Sequence, residues 1–220
     1  MPVYRLQFEL RSVATFGRGD GVAGLVDREV EHDADGLPFL RGRTLKGLLA
    51  EECANILFAF ELQGRTNECR ETACRLFGRP GSRSDDTGVL RVGDAQLPQS
   101  LVAAVKAAVA NEDLHADAVL ESLTAIRRQT SMNEHGAPEK GSLRSMRVIL
   151  PGTIFEAALE FAEPPDAPTL GLLAACVLAW RRAGTARNRG RGRLQAVLLD
   201  SDGVDITERC FRDFAREFVQ

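Results

Sequence analysis

The chain has 220 residues, of which 44% are hydrophobic and 27% are charged, fractions that argue against a disordered, collagen-like or coiled-coil chain. Its 28 Lys and Arg against 31 Asp and Glu give a net charge of -3, which excludes a uniformly basic surface for nucleic acid. Any nucleic-acid binding must therefore use local basic patches.

The amino-terminal residues lack the apolar run of a signal peptide, and the best apolar stretch, 170–180, is far short of a membrane span. We therefore expect a cytoplasmic protein with no membrane partner. The five cysteines are odd in number and scattered, which is not the pattern of a disulfide framework. Most of them are expected to be free thiols.

In the first half of the chain, strands and helices alternate. Residues 3–13 carry apolar and polar side chains at alternate positions, the period of a strand with one buried face. Thr44 is a suitable N-cap for one helix, and Gly78 is a suitable stop for the next. In chain order we predict strands over 3–13 and 25–31, helices over 44–62 and 71–77, a loop over 79–88 and a strand over 89–97.

The second half predicts further helices and strands around one polar hairpin. Trp180 lies on the apolar face of a helix that Gly184 ends, so we expect it in the core. The elements are helices over 98–111 and 116–123, a polar hairpin over 130–142, strands over 148–150 and 153–161, a helix over 170–182, a strand over 194–200 and a helix over 206–218. This order favours an α+β fold with a ferredoxin-like (RRM-like) antiparallel sheet.

Gly19, Gly21 and Gly24 spell the dinucleotide-binding pattern GxGxxG directly after a strand. The first strand of a dinucleotide-binding fold lies in a parallel sheet covered on both faces and is continuously apolar, whereas 3–13 alternates with charged residues. We therefore interpret the three glycines as a flexible turn.

Residues 36–47 form an extended run that enters a helix through a turn at Gly42. The free N–H groups of a first helical turn attract anions, and Arg41, Arg43 and Lys46 add positive charge without a nearby acid. This pattern predicts a phosphate-binding turn. The alternative is an ordinary turn into a helix with cations on its surface.

A second basic segment is the arginine-glycine loop at 184–193, where Arg187, Arg189, Arg191 and Arg193 sum to +4 with no acid among them. Because clustered like charges repel one another, a polyanion is the simplest ligand, and arginine matches phosphate oxygens well. The alternative is a solvated loop that faces acidic residues elsewhere in the chain.

The hairpin region is the third basic segment, and a basic hairpin could hold a nucleic-acid backbone. Its net charge of +3 is the sum of Arg127, Arg128, Lys140, Arg144 and Arg147 against Glu134 and Glu139. The alternative is a disordered surface loop.

Catalysis would depend on carboxylates, since the chain has three histidines and no two of them have acid-base spacing. Asp27, Asp33 and Asp35 lie between segments that should run beside the phosphate-binding turn. One of them could hold a divalent metal or accept a proton from an attacking hydroxyl. Each could instead be a solvated loop residue, and spacing alone does not choose among them.

Cys69 and Cys74 are separated by four residues, with Cys53 upstream. A structural zinc site prefers two-residue gaps and needs a fourth ligand, which is missing unless folding brings His32 to the cysteines. Zinc is therefore an open alternative and not the expected ligand.

Taken in order, these segments resemble the RAMP superfamily of CRISPR-associated proteins, most closely the repeated backbone subunit of type III effector complexes. The resemblance covers nearly the whole chain. Arg41 stands where the family commonly has proline and Arg189 near a usual small residue, so both loops are more basic than usual. The matching motifs are the alternating first strand with its glycine-rich turn, Gly-Leu-Val-Asp27, the run 37–47 ending in Leu-Lys-Gly, Leu76-Phe-Gly78, the strand at 89–94, the segment 126–152 and the loop 187–193.

The resemblance implies a single RAMP domain over 1–220, a ferredoxin-like palm with helical insertions and an inserted thumb hairpin at about 125–152. Such subunits stack as a filament, with further copies of themselves and other RAMP subunits, along a CRISPR guide RNA that pairs with single-stranded target RNA. The residues expected to bind RNA are Arg41, Arg43, Lys46, Arg127, Arg128, Arg187, Arg189 and Arg191.

The resemblance also implies that a loop aspartate cleaves target RNA with a divalent metal, Mg or Mn. Asp27 matches that aspartate by position, while Asp33 and Asp35 fall in the connecting turn. The carboxylate would help the neighbouring 2′-hydroxyl to attack the phosphate. Two alternatives stay open: a RAMP scaffold whose aspartate is inert, and a repeat-RNA-processing endoribonuclease of the same superfamily with a catalytic histidine such as His32.

Overall fold

The structure is a computed structural model that describes residues 4–64, 67–79, 88–131, 133–137, 139 and 141–218. Its strands are β1 (Tyr4–Leu10), β2 (Leu90–Val92), β3 (Thr124–Gln129), β4 (Arg144–Ile149), β5 (Ile154–Phe161) and β6 (Leu194–Leu199). Its helices are α1 (Gly42–Glu61), α2 (Asn67–Phe77), α3 (Gln99–Ala110), α4 (Ala116–Leu123), α5 (Ala167–Ala179) and α6 (Thr207–Phe218). Most of the loop predicted over 79–88 lies outside the described residues. Within the described ranges, no helix combines the length and apolarity needed to cross a membrane.

Four strands form an antiparallel sheet in the order β2-β5-β1-β6. β1 is central, because Leu6 lies opposite Ala157 of β5 on one side and opposite Leu198 of β6 on the other. With α1 between β1 and β2, and α5 between β5 and β6, the chain follows the β-α-β-β-α-β course of a ferredoxin-like fold. The predicted fold class is confirmed.

One face of this sheet lies in the core, since β1 alternates buried and half-buried side chains. Leu6, Phe8 and Leu10 are at most 1% exposed. Trp180, at the end of α5, packs edge-on against Phe8 with ring centroids 5.0 Å apart. The prediction that Trp180 is a core residue is confirmed.

β3 and β4 form a separate two-stranded hairpin, inserted in the chain between α4 and β5. The strands pair in register from Thr124 opposite Ile149 to Gln129 opposite Arg144. The sequence indicated the polar tip over 130–142 but not the length of the strands. The reason is that four of the six residues of β3 are exposed, so β3 shows no apolar alternation.

The 25–31 segment, predicted as a strand, does not join the main sheet. It pairs in parallel with β4 of the hairpin through a short bridge between Arg28 and Met146. Asp27 N–H donates to the carbonyl of Ser145, and Arg147 N–H donates to the carbonyl of Arg28, both at 3.0 Å. The loop that contains Asp27 is thus joined by backbone hydrogen bonds to the base of the hairpin.

α1 begins at Gly42, before the predicted N-cap Thr44, and Arg41 occupies the N-cap position. Gly42 N–H donates to Asp94 Oδ1 at 2.7 Å, so a carboxylate distant in sequence satisfies the end of the helix. A Cβ at Gly42 would lie 2.2 Å from the carbonyl oxygen of Val92, which leaves room for glycine alone. The prediction of Thr44 as the cap was therefore wrong.

Other boundaries also differ from prediction, among them the start of α2, which lies at Asn67 and not at 71. α5 spans Ala167–Ala179 and not 170–182, because the Asp166 carboxylate accepts the N–H of Thr169 at 3.0 Å and caps the helix earlier. The strand predicted over 89–97 keeps regular pairing over Leu90–Val92, after which the chain turns toward the start of α1.

The glycine-rich turn after β1 has no dinucleotide-binding geometry. The sheet is antiparallel, whereas a dinucleotide-binding sheet is parallel. Val22 and Val26 exchange backbone hydrogen bonds across the turn, and a Cβ at Gly21 would lie 2.3 Å from the carbonyl oxygen of Val26. The glycines lie in a turn, as predicted, and the backbone hydrogen bonds between Val22 and Val26 close it.

Candidate functional site

Asp27 lies at the base of the hairpin, beside the start of β4. Its Oδ2 accepts hydrogen bonds from the N–H of Ser145 at 2.6 Å and from Ser145 Oγ at 3.2 Å. The residue is otherwise exposed to solvent. One carboxylate oxygen is thus fixed against β4, while the Asp27 side chain stays accessible.

The surroundings of Asp27 favour its ionised form. The backbone N–H of Ser145 lowers the pKa of this carboxyl and outweighs desolvation, which raises it. The Ser145 hydroxyl and the positive charge of Arg144 lower the pKa by smaller amounts. Asp27 lines an open cavity of about 680 Å³ together with Arg128 and the turn at 21–26. A low pKa suits a carboxylate that ligates a cation better than one that accepts a proton.

Asp33 and Asp35 have contacts of a different kind. Asp33 Oδ1 accepts the N–H groups of Asp35 at 3.0 Å and of Leu37 at 2.9 Å, which closes the turn before α1. Lys106 of α3 lies 3.9 Å from the carboxylates of both aspartates. The ring Nδ1 of His32 lies 3.0 Å from the carbonyl oxygen of Asp33. The described contacts of these residues stabilise the turn and do not include Asp27.

The arginine-glycine loop meets the hairpin at its base. Arg191 is 8% exposed, and its guanidinium contacts the sulfur of Met146 on β4. Burial lowers the pKa of Arg191, and the positive charges of Arg127 and Arg189 lower it further. The structure therefore brings together three of the predicted RNA-binding residues, from two separate segments.

Arg191 is distinctive because it is a buried arginine with no carboxylate partner among the described residues. In the part of the chain that the structure describes, its guanidinium forms no ion pair with a carboxylate. A buried cation normally requires a paired anion to offset its desolvation. A phosphate group next to the loop would supply one.

The predicted phosphate-binding turn is partly filled by the protein itself. The N–H of Gly42 already donates to Asp94, and the guanidinium of Arg41 pairs with Glu31 at 2.6 Å. Because 63% of the Arg41 side chain is exposed, solvent screens this ion pair and a phosphate could share the guanidinium. A phosphate at the helix terminus itself would have to compete with Asp94.

Lys46 and Arg43, the other cations of the turn, lie in different environments. The ammonium of Lys46 donates to the carbonyl of Leu90 at 2.7 Å and so ties α1 to β2. Partial burial lowers the pKa of Lys46. Arg43 is exposed on the first turn of α1. RNA contacts by both residues stay predictions, and Lys46 has a structural contact in addition.

A cleft of about 480 Å³ separates the phosphate-binding turn from the arginine-glycine loop. Arg41 lies on one side and Arg187 on the other, so the two segments predicted to bind a polyanion face the same space. Arg187 pairs with Glu51 of α1 at 3.0 Å, and 40% and 50% of these side chains are exposed. Such an exposed pair is weak, so phosphate can compete with Glu51 for the guanidinium.

Comparison with models of protein families matches residues 9–195 to the RAMP superfamily. The chain belongs to this superfamily. A search of curated proteins found no match to the sequence.

Among solved structures, the RAMP chain is similar to a chain of the "Type III-B Cmr-beta Cryo-EM structure of the Apo state". The TM-score is 0.61 and the identity 14%, over 88% of this chain and 96% of that chain. It is also similar to a chain of the "Cryo-EM structure of the Type III-B Cmr-beta bound to cognate target RNA", with a TM-score of 0.62 and 13% identity over 91% of this chain and 97% of that chain. At these identities, the likeness establishes a shared fold.

Two residues that were not predicted from the sequence organise the site of this RAMP chain. They are Ser145, which contacts Asp27, and Glu29, which lies two positions after Asp27 in the chain. Glu29 Oε1 accepts the Nε–H of Arg147 at 2.8 Å, with 1% and 8% of the two side chains exposed. Arg147 also donates to Thr124 Oγ1 at 3.3 Å. Arg147, counted in the sequence as a hairpin cation, is therefore neutralised internally and joins the two strands of the hairpin to the Asp27 loop.

The described contacts of three of the cysteines of the RAMP chain, Cys53, Cys69 and Cys176, are those of buried thiols. Cys69 is 3% exposed, and burial raises the pKa of its thiol to about 12, whereas zinc binds the thiolate. Cys53 and Cys176 share a hydrogen bond in the core. Across the described ranges, no three His, Cys, Asp or Glu side chains form a group that could hold a metal ion.

Proposed function

We propose that this chain is a guide-RNA-binding backbone subunit of a type III-B CRISPR effector complex that cleaves guide-paired target RNA at Asp27 with a divalent metal. Membership of the RAMP superfamily supports the proposal, as does a fold shared with chains of Type III-B Cmr-beta. One of those structures is bound to cognate target RNA. The observation that carries the proposal lies on β4, where Ser145 fixes an ionised carboxylate and the next residue, Met146, contacts a buried arginine that has no carboxylate partner among the described residues.

RNA binding is supported by the placement of the cations. Arg127, Arg189 and Arg191 gather where the arginine-glycine loop meets the hairpin, and Arg128 lines the Asp27 cavity. Arginine guanidinium groups fit phosphate oxygens in a bidentate manner, and such contacts bind backbone regardless of base sequence. This is the property required of a subunit whose target is selected by a guide RNA.

The proposed partners are the guide RNA, single-stranded target RNA, other RAMP subunits and further copies of this chain in a filament, acting in the cytoplasm. Three segments, 41–46, 127–147 and 187–193, hold local groups of basic residues although the net charge of the 220-residue chain is -3. The low net charge of the whole chain limits the electrostatic repulsion between neighbouring copies along one RNA.

The proposed reaction is attack of a 2′-hydroxyl on the adjacent phosphorus of the target strand. The new bond from the 2′-oxygen to phosphorus forms as the bond to the 5′-oxygen breaks, which leaves a 2′,3′-cyclic phosphate and a 5′-hydroxyl. The 2′-hydroxyl loses its proton to solvent and the leaving 5′-oxygen gains one. Arg128, on the wall of the Asp27 cavity, would offset the negative charge that develops on the phosphate oxygens.

Asp27 is the residue that would hold the divalent metal. Its Oδ1 accepts no hydrogen bond from the described residues, while Ser145 occupies Oδ2. The donor set fits Mg²⁺ or Mn²⁺, which are commonly held by one or two carboxylates together with substrate phosphates and water. Such an ion, when bound, supplies Lewis acidity at a phosphate oxygen.

The test is the Asp27→Ala variant in a complex assembled with guide RNA and target RNA. We expect assembly and target binding to be unchanged and target cutting to fall by at least about 100-fold. Asp20→Ala is the matched control, because Asp20 is exposed in the same loop but pairs with Arg18. Continued cutting at every site by Asp27→Ala would overturn the assignment.

A non-catalytic RAMP scaffold is the second candidate. The observation that favours it is that Asp27 lies in no three-residue metal-binding group among the described residues. A scaffold would bind guide and target RNA with the same arginines but would leave target RNA intact in wild type and in Asp27→Ala alike. The cleavage assay therefore distinguishes the two candidates.

A further inference from the structure

Ser145 contacts Asp27 through its backbone and its side chain together. Its N–H donates to Asp27 Oδ2 at 2.6 Å, its Oγ lies 3.2 Å from the same oxygen, and its carbonyl accepts the N–H of Asp27 at 3.0 Å. The hydroxyl also lies 3.4 Å from the carbonyl oxygen of Leu25. The side chain and the backbone of Asp27 are therefore both held by one residue of β4.

The frame around this contact is rigid, because β4 and the Asp27 loop are joined again on the next residues. Arg147 N–H donates to the carbonyl of Arg28 at 3.0 Å. Glu29 and Arg147 then form an ion pair that is almost fully buried. Since buried, hydrogen-bonded groups have little freedom to move, Ser145 keeps a fixed position relative to Asp27.

We infer that Ser145 is a positioning residue, which holds the Asp27 carboxylate in one rotamer with Oδ2 engaged and Oδ1 left for a ligand in the cavity. The inference rests on the proposed function, since the rotamer matters only if Asp27 acts on RNA. An exposed aspartate samples several staggered rotamers, so selection of one of them pre-organises the site. No local pattern predicts this pair, because its members are 118 positions apart in the chain.

Ser145→Ala is the informative variant, because it removes Oγ and keeps the backbone N–H. In the assembled complex we expect kcat for target cutting to fall about 10-fold, the lower end of losses on removal of outer-shell partners, with KM for target RNA unchanged. Ser145→Thr retains the hydroxyl and should restore most of kcat. Ser142→Ala is the matched control, since the Ser142 hydroxyl donates within the same hairpin, to the carbonyl of Glu139 at 2.7 Å.

A second measurement does not depend on cleavage. Three-bond NMR couplings report the χ1 angle of Asp27 in the full-length chain. In wild type and Ser145→Thr we expect the values of one staggered rotamer, and in Ser145→Ala values shifted toward the other rotamers, because the backbone N–H of residue 145 alone then holds Oδ2. A single Asp27 rotamer in Ser145→Ala, or a higher KM with unchanged kcat, would overturn the positioning role.

The two proposals fail in different ways when Asp27→Ala is assayed beside Ser145→Ala. If Asp27→Ala abolishes cutting while Ser145→Ala cuts at the wild-type rate, the positioning role is wrong and the proposed function stands. If Asp27→Ala cuts at the wild-type rate, the proposed function is wrong and the inference falls with it. If both hold, Asp27→Ala/Ser145→Ala should be no slower than Asp27→Ala alone.

Discussion

The buried ion pair between Glu29 and Arg147 tests how the hairpin is attached to the rest of the chain. The two side chains are 1% and 8% exposed, and the Nε–H of Arg147 donates to Glu29 Oε1 at 2.8 Å. Glu29 Oε1 also accepts the N–H of Val30 at 2.9 Å. Glu29→Met therefore leaves the buried Arg147 guanidinium without a carboxylate and the buried N–H of Val30 without its acceptor. We expect a loss of about 3–5 kcal/mol in the free energy of unfolding, a large part of the stability of a typical domain.

A double-mutant cycle by urea denaturation measures this coupling. Arg147→Met should lower the free energy of unfolding by a similar amount. The double variant Glu29→Met/Arg147→Met removes both charges of the pair, so its loss should be much smaller than the sum of the two single losses. Glu9→Met is the control, because Glu9 forms an exposed pair with Arg11, and it should cost less than about 1 kcal/mol. Single losses below about 1 kcal/mol, or additive losses in the double variant, would refute the argument that a buried charge pair holds the hairpin base.

Two further predictions concern RNA binding and acid stability. Arg191→Gln should weaken binding to RNA of any sequence and reduce the slope of log K for RNA binding against log salt concentration by about one, as measured by titration at several salt concentrations. Arg212→Gln on α6 is the control and should change neither the affinity nor the slope. An unchanged slope in Arg191→Gln would contradict a phosphate contact. The pKa of the Asp166 carboxyl is lowered, first because of its hydrogen bond to Thr169. The contribution of this carboxylate to the free energy of unfolding is therefore present above its unfolded-state pKa and is lost as the pH falls through its folded-state pKa. Asp166→Ala should lower the free energy of unfolding, measured by urea denaturation, by roughly 0.5–1 kcal/mol at neutral pH and by little at about pH 2. An equal loss at both pH values would show that the charge of Asp166 plays no part.

The elements that were predicted correctly have local signals. β1 alternates apolar and polar residues, and α4 was predicted over the residues that form it. The start of α1 was predicted wrongly because its capping carboxylate, Asp94, is 52 residues away. The start of α5 could have been found, since Asp166, Pro168 and Thr169 form a recognisable capping sequence.

The candidate site follows the same rule. Asp27 was singled out through a resemblance to a family, and the arginines through local clusters of charge. Their partners could not be predicted, because the contact of Asp27 with Ser145 spans 118 residues and depends on a parallel addition to a hairpin. The neutralisation of Arg147 by Glu29 is equally remote in sequence. Local pattern thus identifies charged residues, but folding decides which of them stay available to a ligand.

The position of β3 has a consequence for solubility. The Asp27 loop pairs with the free side of β4, so β3 forms the outer edge of the hairpin among the described residues. An exposed edge strand is a template for pairing with another chain. Arg127 and Arg128 are exposed on that strand. Charged side chains on an edge strand oppose such pairing, so the same two arginines would protect the chain from aggregation before any RNA covers them. Substitution of both by apolar residues should therefore promote self-association of the free chain.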